Sequence, residues 1–89
     1  MSHQFTVRLA GPVVRAIQDE LPEAVAGAMI EFFNGALREN PHRVGHRLRY
    51  DLEGLWSARR GSFRVIYAID EQARVVEVLR VDHRRDVYR

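Results

Sequence analysis

The sequence predicts an α+β domain of order β-α-α-β-β-β, with an antiparallel helix pair packed on one face of a twisted, mainly antiparallel sheet. Three observations carry that expectation. Apolar residues alternate at the start of the chain and through its second half, and they recur at helical spacing between residues 12 and 38. Glycine, proline and asparagine punctuate the joins. Eighty-nine residues suit one domain, 1–89, with a single modest core.

Residues 4–10 set Phe5, Val7 and Leu9 against Thr6 and Arg8, the pattern of a short strand with one buried face. Gly11 and Pro12 open a helix, because a proline in the first turn loses no hydrogen bond there. Val14, Ile17 and Leu21 recur along it, and Pro22 breaks it. A second, longer helix is expected to about residue 38. Val25, Met29, Phe32, Phe33 and Ala36 make its apolar stripe. Asn40 and Pro41 end that helix, and residues 42–50 read as a polar connection.

A tight hairpin follows. Residues 55–60 and 62–69 are rich in aromatic and β-branched side chains, with Arg60-Gly61 as the expected two-residue loop. Arg59 then opposes Ser62, Ala58 opposes Phe63, Ser57 opposes Arg64 and Trp56 opposes Val65. Opposed residues share a face, so Trp56, Ala58, Phe63, Val65 and Tyr67 form the core side. Ser57, Arg59, Ser62 and Arg64 form a polar floor. A turn at residues 70–73 leads into a last strand, 75–81, whose register the sequence leaves open.

All fourteen basic residues are arginine, and the net charge is only +2. Its distribution is uneven. Residues 11–40 hold two arginines against five carboxylates, whereas residues 41–67 hold six against two, and the last ten residues four against two. A basic face beside an acidic helical half suits a polyanion partner, because guanidinium forks onto phosphate oxygens. The chain has no cysteine, which excludes disulfides and thiolate metal sites and suits a reducing cytoplasm. No apolar run reaches the length of a membrane span and no signal-peptide pattern is visible, so a cytoplasmic protein without membrane contact is expected. No histidine has ligand-like spacing with carboxylates, and neither metal nor cofactor is expected.

Arg59 and Arg64 project from rigid strands onto the polar floor, and the tail residues His83, Arg84 and Tyr88 are expected to reach it. Guanidiniums can clamp a phosphodiester and stabilise its transition state, while an imidazole or phenol can move protons or stack on a base. Arg43, Arg47 and Arg49 of the connection, with Ser57, are the expected RNA contacts. His42 and His46 read as structural or solvent-exposed. Taken alone, two strand arginines are more often ion-pair partners of carboxylates such as Asp51, Glu53 or Glu77 than catalysts. Asp82 and Asp86 are placed to pair with Arg84 or Arg85.

From Gly45 onward the chain reads G-x-x-L-R-x-D-L-x-G-L-W-S-A-R-R-G-S-F-R-V-I-Y-A-I-D, followed by V-x-x-L-R-V-D-H-R-R-D-V-Y. These motifs resemble the RelE toxins of the RelE/ParE superfamily, a microbial ribonuclease fold. The resemblance implies a type II toxin that cleaves mRNA in the ribosomal decoding site, without metal, by attack of the ribose 2′-hydroxyl on the adjacent phosphate. It also implies a co-encoded RelB-like antitoxin, with operator DNA bound only through the toxin–antitoxin complex. Arg59 matches the second of two basic positions before the loop, Arg64 the arginine of a Y/F-R-x-x-Y motif, and Arg84 and Tyr88 the basic and tyrosine positions near the C-terminus. Ser57 stands where the family pattern has a basic residue, and Arg59 replaces a lysine. Arginine keeps its proton, so the general base stays open between His83 and Tyr88. Two other functions fit the same resemblance: a ParE-like gyrase inhibitor with no nuclease activity, or an inactive toxin serving as DNA-binding corepressor.

Overall fold

The computed structural model describes residues 4–49 and 54–83. Strand β1 (Thr6–Leu9) leads into helix α1 (Gly11–Arg15), which continues as a π-helical turn over Ala16–Glu20. Helix α2 (Glu23–Asn34) breaks at Gly35 and resumes as α3 (Ala36–Glu39). Four strands follow: β2 (His46–Arg47), β3 (Trp56–Arg60), β4 (Phe63–Asp70) and β5 (Val75–His83). The five strands lie in the order β1-β5-β4-β3-β2, with β1 parallel to β5 and the other pairs antiparallel. The expected α+β architecture is therefore present, with one short strand more than the sequence suggested. His46 and Arg47 are not a loose connection but the edge of the sheet.

The helices bury Val13, Ala16, Ala26, Met29, Phe32, Phe33 and Leu37, and the sheet answers with Ala58, Val65, Tyr67, Val76 and Val78. Two stripe positions differ from expectation. Val14 is exposed and Val13 buried, while Ala36 is exposed and Leu37 buried beyond the break at Gly35. Leu37 follows Phe33 by four residues, so the buried face runs on through Met29, Phe33 and Leu37 across Gly35 and leaves Ala36 beside it.

The hairpin register also differs. The observed pairs are Trp56↔Tyr67, Ser57↔Ile66, Ala58↔Val65, Arg59↔Arg64 and Arg60↔Phe63, which makes the loop Gly61-Ser62. Gly61 has φ +60 at the first loop position, as a II′-type loop requires, whereas Arg60 remains in the strand. The slip is two residues, so every side chain keeps its predicted face.

A β-bulge sets the last strand. Ile66 pairs with Arg80 and Tyr67 with Val78, which leaves Leu79 unmatched. The extra residue reverses the alternation: Val76 and Val78 point to the core, and beyond the bulge Val81 and His83 do so. Without it, Arg80 and Asp82 would fall on the helix-covered face. The bulge turns both outward.

Tyr67 anchors the centre. It is fully buried, its hydroxyl donates to the Pro41 carbonyl at 2.7 Å, and its ring stacks near Trp56 with centroids 6.3 Å apart. Burial pushes its phenol up to about 12, an effect the Arg60 guanidinium partly opposes. Gly45 lies so close that a Cβ there would collide with Tyr67 Oη and stand 2.5 Å from the Ser57 carbonyl oxygen. Only glycine lets the 43–46 segment press onto β3.

Candidate active site

The sheet face away from the helices carries Ser57 and Arg59 from β3, Arg64 and Ile66 from β4, and Arg80 and Asp82 from β5. Arg64 is at its centre, directly opposite Arg59 on one side and Asp82 on the other. Two guanidiniums directly opposite each other repel. Arg64 is also only 8% exposed, and Ser57 beside it is 1% exposed. The sequence gives Arg64 an outward direction, but the chain covers it.

The 43–46 segment lies beside Arg64 and Ser57. His46 pairs with Ser57 across the β2–β3 ladder, so the two share the open face. A cavity of about 310 Å³ opens between segment and sheet, lined by Arg43, Gly45, His46, Ser57, Arg59 and Arg64 among others. The Ser57 hydroxyl is buried without a hydrogen-bond partner among the described residues. Three guanidiniums, an imidazole and a hydroxyl thus face one space. That set suits a phosphate group: arginine forks match its oxygens, and a partly buried charge acts on it with little screening by water.

Beside the cavity, Arg80 holds Asp82 through Nε at 2.8 Å and Nη2 at 2.7 Å, both onto Oδ2. The pairing of Asp82 expected from sequence, with Arg84 or Arg85, falls partly outside the described residues; the partner observed is Arg80. Among the described residues no three histidine or carboxylate side chains gather in a way that could hold a metal ion.

The residues singled out from the sequence separate into groups. Arg59, Arg64, Ser57 and Arg43 converge on the cavity. Arg47 and Arg49 line a neighbouring, larger cleft of about 960 Å³ with Leu48, Trp56 and Glu71, and His46 lines both spaces. There the Arg47 guanidinium sits 5.6 Å from the centre of the Trp56 ring, on the face opposite to Ser57. His83 does not reach the polar floor: it opposes Phe63 on the other face, the two rings edge-to-face at 5.1 Å. The bulge at Leu79 sends it there. Arg84, Tyr88, Asp51, Glu53, Arg85 and Asp86 lie outside the described residues. Sequence reasoning missed His46 as a member of this face, because a two-residue strand carries no readable alternation. It missed the outward placement of Arg80 and Asp82 because a bulge leaves no mark in hydropathy.

The chain is similar to known proteins over almost its whole length. The family described as ParE toxin of type II toxin-antitoxin system, parDE, matches residues 8–88. Toxin RelE of Mycobacterium tuberculosis (strain ATCC 25618 / H37Rv) is 47% identical over 87 residues, spanning 98% of this chain and 89% of that protein. Toxin RelG of the same organism is 45% identical over 85 residues, 96% of this chain and 97% of its own. Among solved structures, the toxin–antitoxin complex RelBE2 from M. tuberculosis contains a chain that matches with a TM-score of 0.86 at 43% identity, covering 91% of this chain and 99% of that one. Identity at this level across nearly every residue, on a fold this similar, makes the chain a member of the RelE/ParE superfamily and, within it, a RelE-type type II toxin.

Proposed function

We propose that this toxin is a ribosome-dependent, metal-independent mRNA endoribonuclease of the cytoplasm that stops translation. The observation that supports it best is Arg64, a buried guanidinium held opposite Arg59 above a cavity that Ser57, Arg43 and His46 also line. Guanidiniums that adjacent strands set on one cavity can together bind the oxygens of a single phosphodiester. Arg64 takes the scissile phosphate, and Arg59 and Arg43 share the charge that grows as the 2′-oxygen attacks phosphorus. Arg84 and Tyr88 enter through the family motif alone, as a further phosphate contact and a group that stacks on a base or moves a proton. Arg47 and Arg49, beside the Trp56 cleft, contact RNA away from the cut.

Few guanidiniums are available, so affinity for free mRNA is weak and falls with salt. The ribosome orients the substrate. A RelB-like antitoxin, encoded beside the toxin, neutralises it, and operator DNA is bound only through their complex. The M. tuberculosis relative being solved as a toxin–antitoxin complex supports that partner. The test is to add the purified toxin to a translating extract and map the 5′ ends of mRNA fragments. Cuts on translated mRNA and none on naked RNA are expected.

A second reading draws support from the matched family being described as ParE toxin. A gyrase-inhibiting toxin would block supercoiling and leave mRNA intact, so a supercoiling assay run beside the extract separates the two.

A further inference from the structure

We propose that His46 is the base that takes the 2′-hydroxyl proton, an inference that rests on the endoribonuclease reading. The reaction needs a proton acceptor beside the phosphate clamp. Guanidinium holds its proton throughout the neutral range, so Arg43, Arg59 and Arg64 cannot accept one. The Ser57 hydroxyl is almost fully buried and would itself need activating. His83 points to Phe63 on the other side of the sheet. His42 is held by Glu71 at 2.6 Å and lies against the rings of Phe5 and Trp56. The Tyr67 hydroxyl is spent on the Pro41 carbonyl.

His46 remains among the described residues. Its register opposite Ser57 fixes it on the open face, it lines the same cavity as Arg59 and Arg64, and it is exposed enough to meet a ribose. The charged groups that share a cavity with it are Arg43 from its own segment, Arg59 from β3 and Arg64 from β4 on the open face, and Arg47, Arg49 and Glu71 in the larger neighbouring cleft, which His46 also lines. Imidazole is the side chain suited to taking and releasing a proton near neutral pH. In the step, a ring nitrogen of neutral His46 removes the 2′-hydroxyl proton and the 2′-oxygen forms a bond to phosphorus. The bond from phosphorus to the 5′-oxygen breaks, and that oxygen takes a proton from solvent. The products are a 2′,3′-cyclic phosphate and a 5′-hydroxyl, and His46 returns its proton to water.

The experiment measures ribosome-dependent cleavage by the wild type, His46→Gln and His46→Ala between about pH 5.5 and 8.5. Circular dichroism and ribosome pelleting report folding and binding. Both variants are expected to fold and to bind ribosomes as the wild type does, because His46 is exposed on an edge strand. Each is expected to cut about 100-fold more slowly or worse, the scale of lost general-base catalysis. The rise of rate with pH through the imidazole range should disappear, and added imidazole should restore part of the rate of His46→Ala. Wild-type rates and pH profile in both variants, with a cutting wild type, overturn the role of His46 and leave the endoribonuclease reading standing. A slow variant whose loss matches its loss of ribosome binding, with no rescue by imidazole, also overturns it. A wild type that cuts no mRNA on ribosomes overturns both.

Discussion

The two faces of the sheet are equally hidden at their centres and opposite in chemistry. On the helix side Tyr67, Val65 and Ala58 are buried among hydrocarbon, with one hydroxyl satisfied by the Pro41 carbonyl. On the other side Ser57, Arg64 and Ile66 are nearly as buried, yet Arg59 stands directly opposite Arg64 and the Ser57 hydroxyl finds no partner among the described residues. Burial alone therefore does not tell a core from a site. The kind of side chain does: hydrocarbon packs against hydrocarbon on one face, and guanidinium and hydroxyl groups line a cavity on the other. Variants on the open face should change rates and leave melting almost unmoved, and variants on the helix face should do the reverse.

The largest effect tests the open face. Arg64→Ala removes a guanidinium that acts mainly as the phosphorane becomes more anionic, so ribosome-dependent cleavage should fall by about 2.7–4 kcal/mol of barrier, the scale of a lost oxyanion donor. Two opposing terms act on stability. The buried side chain loses packing, but the repulsion from Arg59 is relieved, so melting should change by no more than about 1 kcal/mol. A melting temperature that collapses while cleavage and cell toxicity persist would make Arg64 a structural partner of Asp82 and remove it from the site.

Gly45→Ala joins the faces. The new methyl meets Tyr67 Oη on one side and the Ser57 carbonyl on the other, and neither Tyr67 nor β3 can retreat easily. Overpacking of this kind costs about 1–3 kcal/mol, which in so small a domain lowers the melting temperature by roughly 4–8 °C per kcal/mol. The 43–46 segment should also lift from the sheet, so cleavage drops with stability. Thermal melting and the extract assay on one preparation check both; an unchanged melt would show that the segment is not pressed onto β3.

How much of this was legible beforehand depends on the range of each signal. The faces of the hairpin follow from a period of two, and they survived a loop placed one residue early because that shifts the pairing by two, and an even slip preserves them. The loop itself was misplaced: the need of Gly61 for positive φ was legible, but not that it occupies the first loop position instead of the second. The RelE-type motifs were legible because they are local. The burial of Arg64 was not, since a period of two gives the face of a side chain and not what packs around it. Nor was the position of His83, which depends on one unmatched residue at Leu79. Alternation read from sequence assumes no bulge, and this strand has one.

Tyr67→Phe sharpens the helix side. It deletes the bond to Pro41, expected to cost about 1 kcal/mol, without touching the cavity, so cutting should stay at the wild-type rate. Alkali gives a second readout. The folded state holds the Tyr67 phenol at about 12 against an ordinary 10.0, so it favours the protonated form. That preference stabilises the fold fully below pH 10 and is lost as pH rises towards 12, an amount on the order of 2 kcal/mol. Denaturant melts between those values should show a steeper decline for the wild type than for the phenylalanine variant. Equal slopes would mean that the phenol is not held in its protonated form.

The smallest effect comes from two neighbours that the alternation of β3 sends apart. Arg59 faces the cavity, whereas Arg60 crosses to the helix side, where its guanidinium lies 3.7 Å from the centre of the Phe32 ring. A cation over an aromatic face contributes about 0.5–1 kcal/mol at a partly exposed site. Arg60→Ala should therefore lower stability by about that amount and leave cleavage unchanged, although the residue is as basic as its neighbour and closer to the loop. Arg59→Ala should do the opposite: it relieves repulsion with Arg64, so the fold is no less stable, and it withdraws charge from the phosphate, so cutting slows. Paired melts and cleavage rates on the two variants decide it. If both slow cleavage alike, the basic character of the hairpin as a whole matters to RNA, and the division of labour between the faces does not hold.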